Sequence, residues 1–483
     1  MNDLDILSTI AFYYISVVTG IFVFYDFVLL YLLAKSYGKN IDIVKVSYNE
    51  AKRTPDSELP IVTILLPVYR EKLTLPYLIE SISRMDYPRD RMDIRFLIEN
   101  DDKDTVSSIK ALTRANMDNN IQQANTRQND DQIHQVKARN GISLSIDYIE
   151  KGIRTKPNAL NVGLDRARGE IITIYDAEDR PDPNQMRAIA AYMLNHPDVG
   201  CVQARLAYYN DSQSLLTRLF AIEYNQHFLV SLPTYFSLKN AILLGGTSNF
   251  IRTDILKSLG GWDPKNVTED ADLGIRLART RCSVVPMDVI TYEEAPPKIH
   301  AWMKQRIRWN KGYLYTLLRH FRNPIGIIND IGFKSFLLTF HQLLFPVVSA
   351  LSIPGWVLFA IYWIDWFGFP LQPMAGWINA VFKQSPVLFY TSLLTLAFGP
   401  VYSILMSLEG LFRQEDEYAL SKVKYVVFNP LYVILQGICS IVAIIELVAK
   451  PQLWHKTHHG FSVQDNDNKE LVLSSEDDQA ELF

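Results

Sequence analysis

Three acidic side chains, Asp176, Glu178 and Asp179, directly follow the apolar run Ile171–Tyr175. The branched and aromatic residues of that run are typical of a buried strand, and Pro181 ends the segment. Open α/β sheets bind ligands at the carboxyl ends of their strands, and carboxylates together with substrate phosphates are usual ligands of Mg²⁺. A solvated acidic turn accounts for the same residues, so this stretch alone leaves both a metal site and a plain turn open.

Other polar side chains occupy comparable positions, at the ends of predicted strands or near the starts of predicted helices. They are Glu99, Asn100, Asp101 and Asp102 after a strand, Lys156 before a helix, Glu269 and Asp270 at a helix start, and Gln305, Arg308 and Trp309 within a later helix. Each has a structural explanation. Acidic residues at helix starts often act as caps, as Thr268 and Asp270 could, and an arginine on an interfacial helix usually contacts lipid headgroups. Taken singly, these residues indicate structure rather than catalysis.

Strands and helices alternate through the middle of the chain. The predicted strands are Pro60–Pro67, Ile94–Glu99, Ser143–Glu150, Ile171–Tyr175, Val199–Leu206 and Cys282–Met287. The predicted helices are Lys72–Arg84, Asn158–Ala167, Pro183–Leu194, Leu215–Val230, Asp270–Thr280 and Lys298–Phe321, and Gly245–Gly246 predicts a tight turn before Ser248–Arg252. Residues 116–140 are rich in Asn, Gln and Asp and predict a surface loop or a ragged helix. The alternation predicts an α/β fold with a parallel-rich sheet covered by helices on both faces.

The apolar segment Ile6–Leu33 is long enough to cross a bilayer. It differs from a cleavable signal peptide because Asp3 and Asp5, not basic residues, precede it, and because it is too long. Lys35 and further lysines follow the segment. The positive-inside rule therefore places the N-terminus outside and the domain after Lys35 in the cytoplasm.

Three more apolar segments, Ser335–Tyr362, Val387–Leu408 and Tyr425–Val448, follow the α/β region and bring the expected number of spans to four. Pro346 and Pro354 lie in the first of these segments and predict a kink or a break there.

The helix Lys298–Phe321 mixes aromatic and basic residues, which fits a helix lying at the membrane surface, with an amphipathic globular helix as the alternative. Four spans place the polar tail outside. Lys450 and Lys456 at the start of that tail favour the inside, so the side of the tail stays open.

Composition excludes some classes of function. The formal net charge of −4 provides no basic field for nucleic acid. Cys201, Cys282 and Cys439 are far apart and lack metal or disulfide spacing, so we interpret them as small buried hydrophobic residues. Asp26 and His341 are isolated ionisable residues within predicted spans, and without a charged pair a transporter is disfavoured.

Six of these groups occur together and in order: Pro67–Glu71, the acidic turn 99–104, Lys156–Asn161, Asp176–Asp179, Thr268–Asp270 and Gln305–Trp309. In this combination the sequence resembles the family-2 membrane glycosyltransferases, the superfamily of cellulose, chitin and hyaluronan synthases. The resemblance runs from about Pro60 to Arg322, and the triplet TED and the pentad QRIRW make it specific. Gly245–Leu277 and Trp454–Gly460 further resemble a bacterial and archaeal cellulose-synthase-like branch.

The resemblance implies a GT-A fold, a Rossmann-like mixed sheet with helices on both faces, inserted between the transmembrane helices of a multi-pass protein. It also implies transfer of a hexose from a nucleotide-diphosphate sugar with inversion, so that an α-linked donor gives a β bond. Such a displacement requires stabilisation of the leaving diphosphate, a base for the acceptor hydroxyl and an aligned acceptor.

The resemblance implies that Asp176 and Glu178 hold Mg²⁺ or Mn²⁺ on the diphosphate. Glu178 stands where Asp is usual, which makes Asp179 a rival ligand. Asp270 is the implied catalytic base, and Glu269 is its neighbour.

The remaining implied roles concern the two substrates. The nucleotide sugar is assigned to Pro67, Tyr69, Glu71, Glu99, Asp101, Lys156 and Arg308, and the acceptor to Gln305, Trp309, Thr247 and Ser248. Trp309 would stack on the acceptor sugar, and the planar guanidinium of Arg308 suits the diphosphate. Glu99 stands where the family more often has Asp.

The expected domain plan has six parts. They are an N-terminal transmembrane helix (1–34), a linker (35–59), a cytoplasmic GT-A domain (60–296), membrane-interface helices with the pentad (297–333), about three further spans (334–450) and a polar tail (451–483). The expected location is the plasma membrane, and the expected partners are a UDP-sugar, a glycan or lipid acceptor and the bilayer.

Three functions are compatible with these features. The first is a synthase that elongates a β-linked polysaccharide and exports it, with UDP-glucose as the default donor. The second is a non-processive glycolipid synthase acting on diacylglycerol or polyprenyl phosphate, favoured because three spans are few for a glycan channel unless a homo-oligomer or a partner completes one. The third, an inactive scaffold that only binds nucleotide or glycan, is disfavoured because every charged position that the chemistry needs is filled.

Overall fold

The computed structural model describes residues 3–37, 43–115, 133–137, 143–149, 153–366, 385–414 and 417–449. The strands are β1 (Val62–Val68), β2 (Met92–Glu99), β3 (Ile133–Lys137), β4 (Ser143–Ile149), β5 (Ile171–Ile174), β6 (Arg180–Pro181), β7 (Val199–Tyr208), β8 (Asn249–Arg252) and β9 (Ser283–Glu293). The helices are α1 (Asp3–Ser36), α2 (Tyr48–Ala51), α3 (Leu75–Ser83), α4 (Lys103–Ala115), α5 (Lys156–Arg166), α6 (Gln185–Asn195), α7 (Leu215–Gln226), α8 (Leu232–Ser237), α9 (Thr253–Ser258), α10 (Glu269–Arg279), α11 (Ile299–His320), α12 (Pro324–Ile331), α13 (Phe333–Trp366), α14 (Pro386–Arg413), α15 (Glu417–Ser421) and α16 (Asn429–Ala449).

The chain forms two compact units. The sheet unit contains the described residues within 42–224 and 238–302, and the membrane unit contains those within 1–41, 225–237 and 303–455.

Nine strands form the core of the sheet unit, in the order β3-β4-β2-β1-β5-β8-β7-β9-β6. Strands β4, β2, β1 and β5 run parallel, and so do β7 and β9, whereas β8, β3 and β6 are antiparallel to their neighbours. The residues of β5 are all buried, and β1 is buried apart from one partly exposed residue, as expected for strands covered on both faces. This mixed sheet confirms the predicted fold class.

Parallel pairing brings several predicted site residues to one edge of the sheet. Leu65 of β1 pairs with Ile174 of β5, and Val68 pairs with Ile98 of β2. The residues that follow these strands are therefore neighbours, since all three strands end at the same edge.

A buried charge network lies at the opposite edge of the sheet. Asp93 accepts hydrogen bonds from Thr63 Oγ1 at 2.9 Å, from Arg95 Nε at 3.0 Å and from Arg168 Nη2 at 3.0 Å. Arg95 also donates to Asp147 Oδ2 at 3.1 Å. Because each charge is paired and hydrogen-bonded, the network can exist inside the protein.

Two predictions about strands were incomplete. The range 116–140 contains the strand β3, which pairs antiparallel with β4; residues 116–132 and 138–140 lie outside the described residues. The last strand does not end at Met287 but continues to Glu293. The pairing of β7 with β9 is irregular after Met287, and Asp288 accepts a hydrogen bond from Arg205 there at 3.1 Å. Because a charged residue interrupts the apolar pattern at this point, the sequence did not indicate that the strand continues to Glu293.

Two local predictions about helices differ from the structure. The single helix expected at Leu215–Val230 is an α-helix only to Gln226, and a turn of π-helix follows at His227–Ser231. Of the kink or break predicted at the two prolines of α13, the break is absent, because the helix runs from Phe333 to Trp366. In lipid an interrupted helix would leave backbone groups without partners, which favours continuity. Pro181 is the last residue of β6, which pairs with β9, so the segment ends there as predicted.

The membrane unit contains four helices that are long and apolar enough to cross a membrane. The candidate spans are Phe12–Ser36, Phe333–Ile361, Pro386–Arg413 and Val423–Ala449. Four spans match the number expected from the sequence, which indicates a membrane protein.

Candidate functional site

The acidic turn after β5 is held by one of its own carboxylates. Asp179 Oδ2 accepts a hydrogen bond from the backbone N–H of Asp176 at 2.7 Å and another from the hydroxyl of Thr247. Asp179 is only 1% exposed, and its other oxygen, Oδ1, is buried with no hydrogen-bond partner among the described residues. Asp179 therefore shapes the turn that presents Asp176.

Lys156 is the cation that faces this turn. Its Nζ lies 2.6 Å from Asp176 Oδ2 and 2.8 Å from the carbonyl oxygen of Gly246. The lysine begins α5, where the side chain of Thr155 accepts a hydrogen bond from Asn158 N at 3.4 Å as an N-cap. Burial alone would lower the pKa of Lys156, but the carboxylates of Asp176 and Glu269 raise it above its ordinary value.

Negative charge accumulates around Lys156. Burial and the neighbouring Asp176 raise the pKa of Glu178 to about 8. Burial and the charge of Glu293 raise the pKa of Asp179 well above its ordinary value. Burial is the main cause of both raised pKa values, and the neighbouring carboxylates add to it; a divalent cation would offset the repulsion among these carboxylates.

The fit to a metal ion has a limit. Within the described part of the chain, no group of three or more His, Cys, Asp or Glu side chains could hold a metal ion by itself. Asp176, Glu178 and Asp179 therefore do not form a complete protein cage. The carboxylates, together with the orphaned Oδ1 of Asp179, suit a cation whose remaining ligands are substrate phosphates and water.

The TED triplet lies beside this acidic turn. Helix α10 begins at Glu269, and the preceding Thr268 makes no side-chain cap, contrary to the capping alternative for that residue. Asp270 Oδ1 accepts a hydrogen bond from Ala271 N at 2.7 Å. A Cβ atom added at Gly246 would make a tight contact of 3.3 Å with Asp270 Oδ2 and an ordinary van der Waals contact of 3.7 Å with Lys156 Nζ, so Gly246 lies beside both groups.

A second glycine brings the Gly246 loop against α10. A Cβ atom at Gly274 would lie 2.1 Å from the carbonyl oxygen of Ile242, so the chain can pass this closely only where the helix carries no side chain. The loop and the helix together place Gly246 beside Asp270.

The carboxyl end of β1 carries the residues predicted for the nucleotide. Pro67, Tyr69 and Glu71 are partly exposed there. The guanidinium of Arg70 lies 5.0 Å from the centre of the Tyr69 ring, and Arg70 takes a positive φ of 57°. Its backbone N–H donates to Asp102 Oδ2 at 2.6 Å, which fixes this unusual conformation.

Asp102 and Arg154 are residues near the predicted nucleotide pocket to which the sequence analysis gave no role. Asp102 Oδ1 also accepts a hydrogen bond from Thr105 N at 3.2 Å, and it thereby ties the start of α4 to the end of β1. Arg154 Nη1 lies 3.0 Å from Asp101 Oδ2, and its Nε lies 4.0 Å from Glu99. Burial raises the pKa of Glu99, and Arg154 partly opposes this. Asp102 belongs to an acidic turn visible in the sequence, whereas no local pattern marked Arg154.

Thr247 and Ser248 are buried, at 2% and 0% exposed. The Thr247 hydroxyl bonds within the acidic turn, and Ser248 Oγ lies 2.7 Å from Thr291 Oγ1. Both hydroxyl groups hold the loop against the sheet, and the assignment of Thr247 and Ser248 to the acceptor stays a prediction.

Glu293 is a further acidic residue that the sequence analysis missed. It is the last residue of β9, and Tyr224 Oη lies 3.5 Å from its Oε2. Burial and the charges of Glu178 and Asp176 raise its pKa well above the ordinary value. Recognising that β9 extends to this residue would have identified it.

The pentad residues Gln305, Arg308 and Trp309 belong to the membrane unit, on α11. Gln305 Oε1 and Arg308 Nε are buried without a hydrogen-bond partner among the described residues. On the same helix, Arg306 donates to Tyr432 Oη at 3.1 Å, and Asn310 Nδ2 donates to Ser440 Oγ at 2.9 Å. Polar side chains of α11 thus pack against α16. The prediction of a helix lying at the membrane surface did not include this contact with another helix.

Comparison with known proteins identifies the family. The model of Glycosyl transferase family group 2 matches residues 171–435, and the model of Glycosyl transferase family 2 matches residues 63–260. The chain is similar to "Probable glycosyltransferase YdaM" of Bacillus subtilis, with 26% identity over 270 residues, 54% of this chain and 57% of that protein. It is also similar to "Probable glucomannan 4-beta-mannosyltransferase 7" of Oryza sativa, with 25% identity over 334 residues, 66% of this chain and 53% of that protein.

The chain spans just over half the length of these two relatives. Among solved structures, the mannosyltransferase PcManGT from Pyrobaculum calidifontis in complex with GDP-Man and Mn²⁺ aligns with a TM-score of 0.46 and 18% identity, covering 80% of this chain and 99% of that one. The first family model matches more than half of the chain. The chain therefore belongs to glycosyl transferase family group 2.

Proposed function

We propose that this glycosyltransferase moves a hexose from a nucleotide-diphosphate sugar to an acceptor hydroxyl with inversion, and so forms a β-glycosidic bond. The observation that carries the proposal is the cluster of Asp176, Lys156, Gly246 and Asp270 at the carboxyl edge of the sheet. The cluster combines a carboxylate for a metal, a cation for phosphate and a carboxylate for a proton in one place.

Asp176 and Glu178 would hold Mg²⁺ or Mn²⁺, while Asp179 positions the turn through its Oδ2. When bound, the metal neutralises the diphosphate and stabilises it as the leaving group. Lys156 keeps the Asp176 carboxylate in place from the other side, and its charge also favours the developing negative charge on phosphate.

Asp270 is the proposed base. Its Oδ1 is fixed by Ala271 N, and its Oδ2 faces Gly246, so the carboxylate has a defined orientation. In this role Asp270 takes the proton from the acceptor hydroxyl as that oxygen attacks the anomeric carbon. Glu269, which is 7% exposed, adds charge beside Lys156.

The nucleotide would bind at the ends of β1 and β2. Tyr69, Glu71 and Pro67 form one side, and Glu99 and Asp101 form the other. The Asp102 contact with Arg70 N holds the two sides in register, and the ion pair between Arg154 and Asp101 lies at the outer rim. In the membrane unit, Trp309 would stack on the acceptor sugar and Gln305 would contact the acceptor. Arg308, whose Nε has no hydrogen-bond partner among the described residues, would bind the diphosphate of the nucleotide sugar.

GDP-mannose is a stronger candidate for the sugar donor than UDP-glucose, which the sequence analysis took as the default. Several relatives are named glucomannan 4-beta-mannosyltransferases, from rice, Arabidopsis and guar. Their names support a sugar of the manno series, and we propose that GDP-mannose is tested first, with UDP-glucose beside it. The product would be a β-linked polysaccharide made at the cytoplasmic face of the plasma membrane, in agreement with the lysines after the first span.

A glycolipid product is the second candidate, and one observation favours it. An apolar groove in the membrane unit is lined by residues of α1, α13 and α14, including Phe22, Leu351, Leu358 and Leu396. A lipid acceptor carries an acyl or prenyl chain that such a groove would accommodate.

The test uses the full chain in lipid nanodiscs with radiolabelled GDP-mannose or UDP-glucose and Mn²⁺. We expect incorporation of label that EDTA abolishes, and a β configuration in the product by NMR. Label in ethanol-insoluble material would indicate a polymer, whereas chloroform-extractable label would indicate a glycolipid. An α-linked product would contradict the proposed inversion, and no transfer from either donor would contradict the proposed sugars.

A further inference from the structure

The tryptophan of the pentad is in contact with another residue of the same motif. The guanidinium carbon of Arg306 lies 4.8 Å from the centre of the Trp309 ring. Residues three apart on a helix share a face, and a guanidinium over an indole is an attractive cation–π contact. The resemblance gives roles to Arg308 and Trp309 and none to Arg306.

Arg306 is itself held by the last candidate span. Its Nη2 donates to Tyr432 Oη at 3.1 Å, and its guanidinium carbon lies 6.0 Å from the centre of the Tyr432 ring. Arg306 and Tyr432 are 7% and 5% exposed. The contact is therefore removed from water, where cation–π and charged hydrogen bonds are strongest. The three side chains form a continuous stack from α16 to the indole.

We infer that Arg306, anchored by Tyr432, is a positioning residue that fixes the Trp309 indole for the acceptor sugar. The inference rests on the proposed function, in which Trp309 stacks on the acceptor. An indole held from one face by a cation offers a single, fixed orientation to a sugar ring, which lowers the entropy lost when the acceptor binds. The last candidate span thereby controls acceptor binding through two side chains.

A neighbouring contact provides a matched control. Asn310 donates to Ser440 at 2.9 Å between the same two helices. Substitution of Ser440 by Ala removes one α11–α16 hydrogen bond without touching the stack on Trp309. If α11 and α16 affect acceptor binding only through their packing, Ser440→Ala should raise the acceptor KM as much as Arg306→Leu and Tyr432→Phe do.

The experiment measures the KM for acceptor and donor separately in the full chain. Transfer from GDP-mannose to β-1,4-mannotetraose and from UDP-glucose to cellotetraose is followed with Mn²⁺, together with release of nucleoside diphosphate by hydrolysis. We expect Arg306→Leu and Tyr432→Phe to raise the acceptor KM, by roughly 3- to 30-fold for Arg306→Leu, the range of one desolvated cation–π contact. Donor KM and hydrolysis should stay as in the unmodified protein, and Arg306→Lys should recover part of the loss.

A double variant separates the inference from a general structural effect. In a Trp309→Ala background, Arg306→Leu should add little to the acceptor KM, because the contact through which it acts is gone. Ser440→Ala should leave the acceptor KM unchanged. An equal effect of Ser440→Ala, or full additivity with Trp309→Ala, would overturn the inference.

Failure of the inference is distinguishable from failure of the proposed function. If Trp309→Ala raises the acceptor KM while Arg306→Leu and Tyr432→Phe do not, Trp309 keeps its role and Arg306 loses its own. If Trp309→Ala leaves the acceptor KM unchanged, or if neither donor supports transfer, the proposed function fails and the inference fails with it.

Discussion

Replacing Glu178 and Asp179 separately by alanine tests which of them holds the metal. Asp179 Oδ2 accepts two hydrogen bonds, from Asp176 N at 2.7 Å and from the Thr247 hydroxyl. Asp179→Ala leaves Asp176 N without this acceptor, whereas the Thr247 hydroxyl keeps a second acceptor, the carbonyl oxygen of Ile174 at 3.0 Å. One donor left without its partner costs about 1–3 kcal/mol, so the sheet unit should lose about that much stability. At 2–4 °C per kcal/mol, its melting temperature should fall by roughly 2–12 °C.

Glu178→Ala should behave differently. Glu178 is partly exposed, and its pKa is raised by burial and by Asp176, so its removal relieves charge repulsion in the metal-free protein. We expect little loss of melting temperature. We expect the Mn²⁺ concentration for half-maximal transfer to rise about 10- to 100-fold, the range seen even for residues that only orient metal ligands.

The assay combines thermal unfolding in detergent, with and without Mn²⁺, and transfer activity across a Mn²⁺ titration. Each variant serves as the control for the other, since both remove one carboxylate from the same turn. The assignment is refuted if Asp179→Ala shifts the Mn²⁺ dependence as much as Glu178→Ala does while leaving the melting temperature unchanged.

Three further predictions concern the sheet unit. Asp93→Asn should lower the free energy of unfolding by about 3–5 kcal/mol at pH 7, because it leaves Arg95 buried with weaker pairing. Burial alone would raise the pKa of Asp93, but Arg95 lowers it below 3.8, so the Asp93 carboxylate stabilises the fold above that pH. The difference in melting temperature between Asp93→Asn and the unmodified chain should therefore shrink as the pH falls through the lowered pKa. Gly246→Ala should reduce turnover with little change in melting temperature, because the new methyl group would press on Asp270 at 3.3 Å; normal turnover would contradict the proposed geometry. Lys156→Met should lower the melting temperature of the metal-free protein, and Mn²⁺ should then raise that temperature by more than in the unmodified chain, since the ion replaces a lost positive charge. An unchanged rise on adding Mn²⁺ would argue against a metal beside Lys156.

Local patterns predicted the parts of the site that lie within one stretch of sequence. The apolar run before Asp176 predicted β5, and the order of the charged motifs indicated the glycosyltransferase family. The turn was accessible to prediction because a short apolar strand followed by carboxylates is a pattern within about ten residues.

Properties that depend on packing were not visible in the sequence. Thr247 and Ser248 resemble exposed polar loop residues until the fold buries both hydroxyl groups. Glu293 was missed because the irregularity around Asp288 interrupts the strand pattern. The contact between Arg306 and Tyr432 joins residues 126 positions apart, and no periodicity within α11 could have indicated its partner.

The same limit applies to the membrane unit. Pro346 and Pro354 predict a kink or a break by local rules. The break is absent from α13, because an apolar environment favours a helix whose backbone groups bond within the segment. The four segments expected from the sequence agree with the four long apolar helices among the described residues, since both depend on the length and hydropathy of each segment.

The transfer rate of Asp270→Asn tests whether Asp270 is the base of a metal-assisted sugar transfer. The measurement compares that variant with the unmodified chain in nanodiscs, using GDP-mannose and UDP-glucose with Mn²⁺, and uses thermal stabilisation by GDP or UDP to establish that the nucleotide site is intact. We expect transfer to fall by about 10²- to 10⁴-fold, the contribution of a general base, while nucleotide binding is retained. Transfer by Asp270→Asn at the rate of the unmodified chain would contradict the assignment of Asp270 as the base.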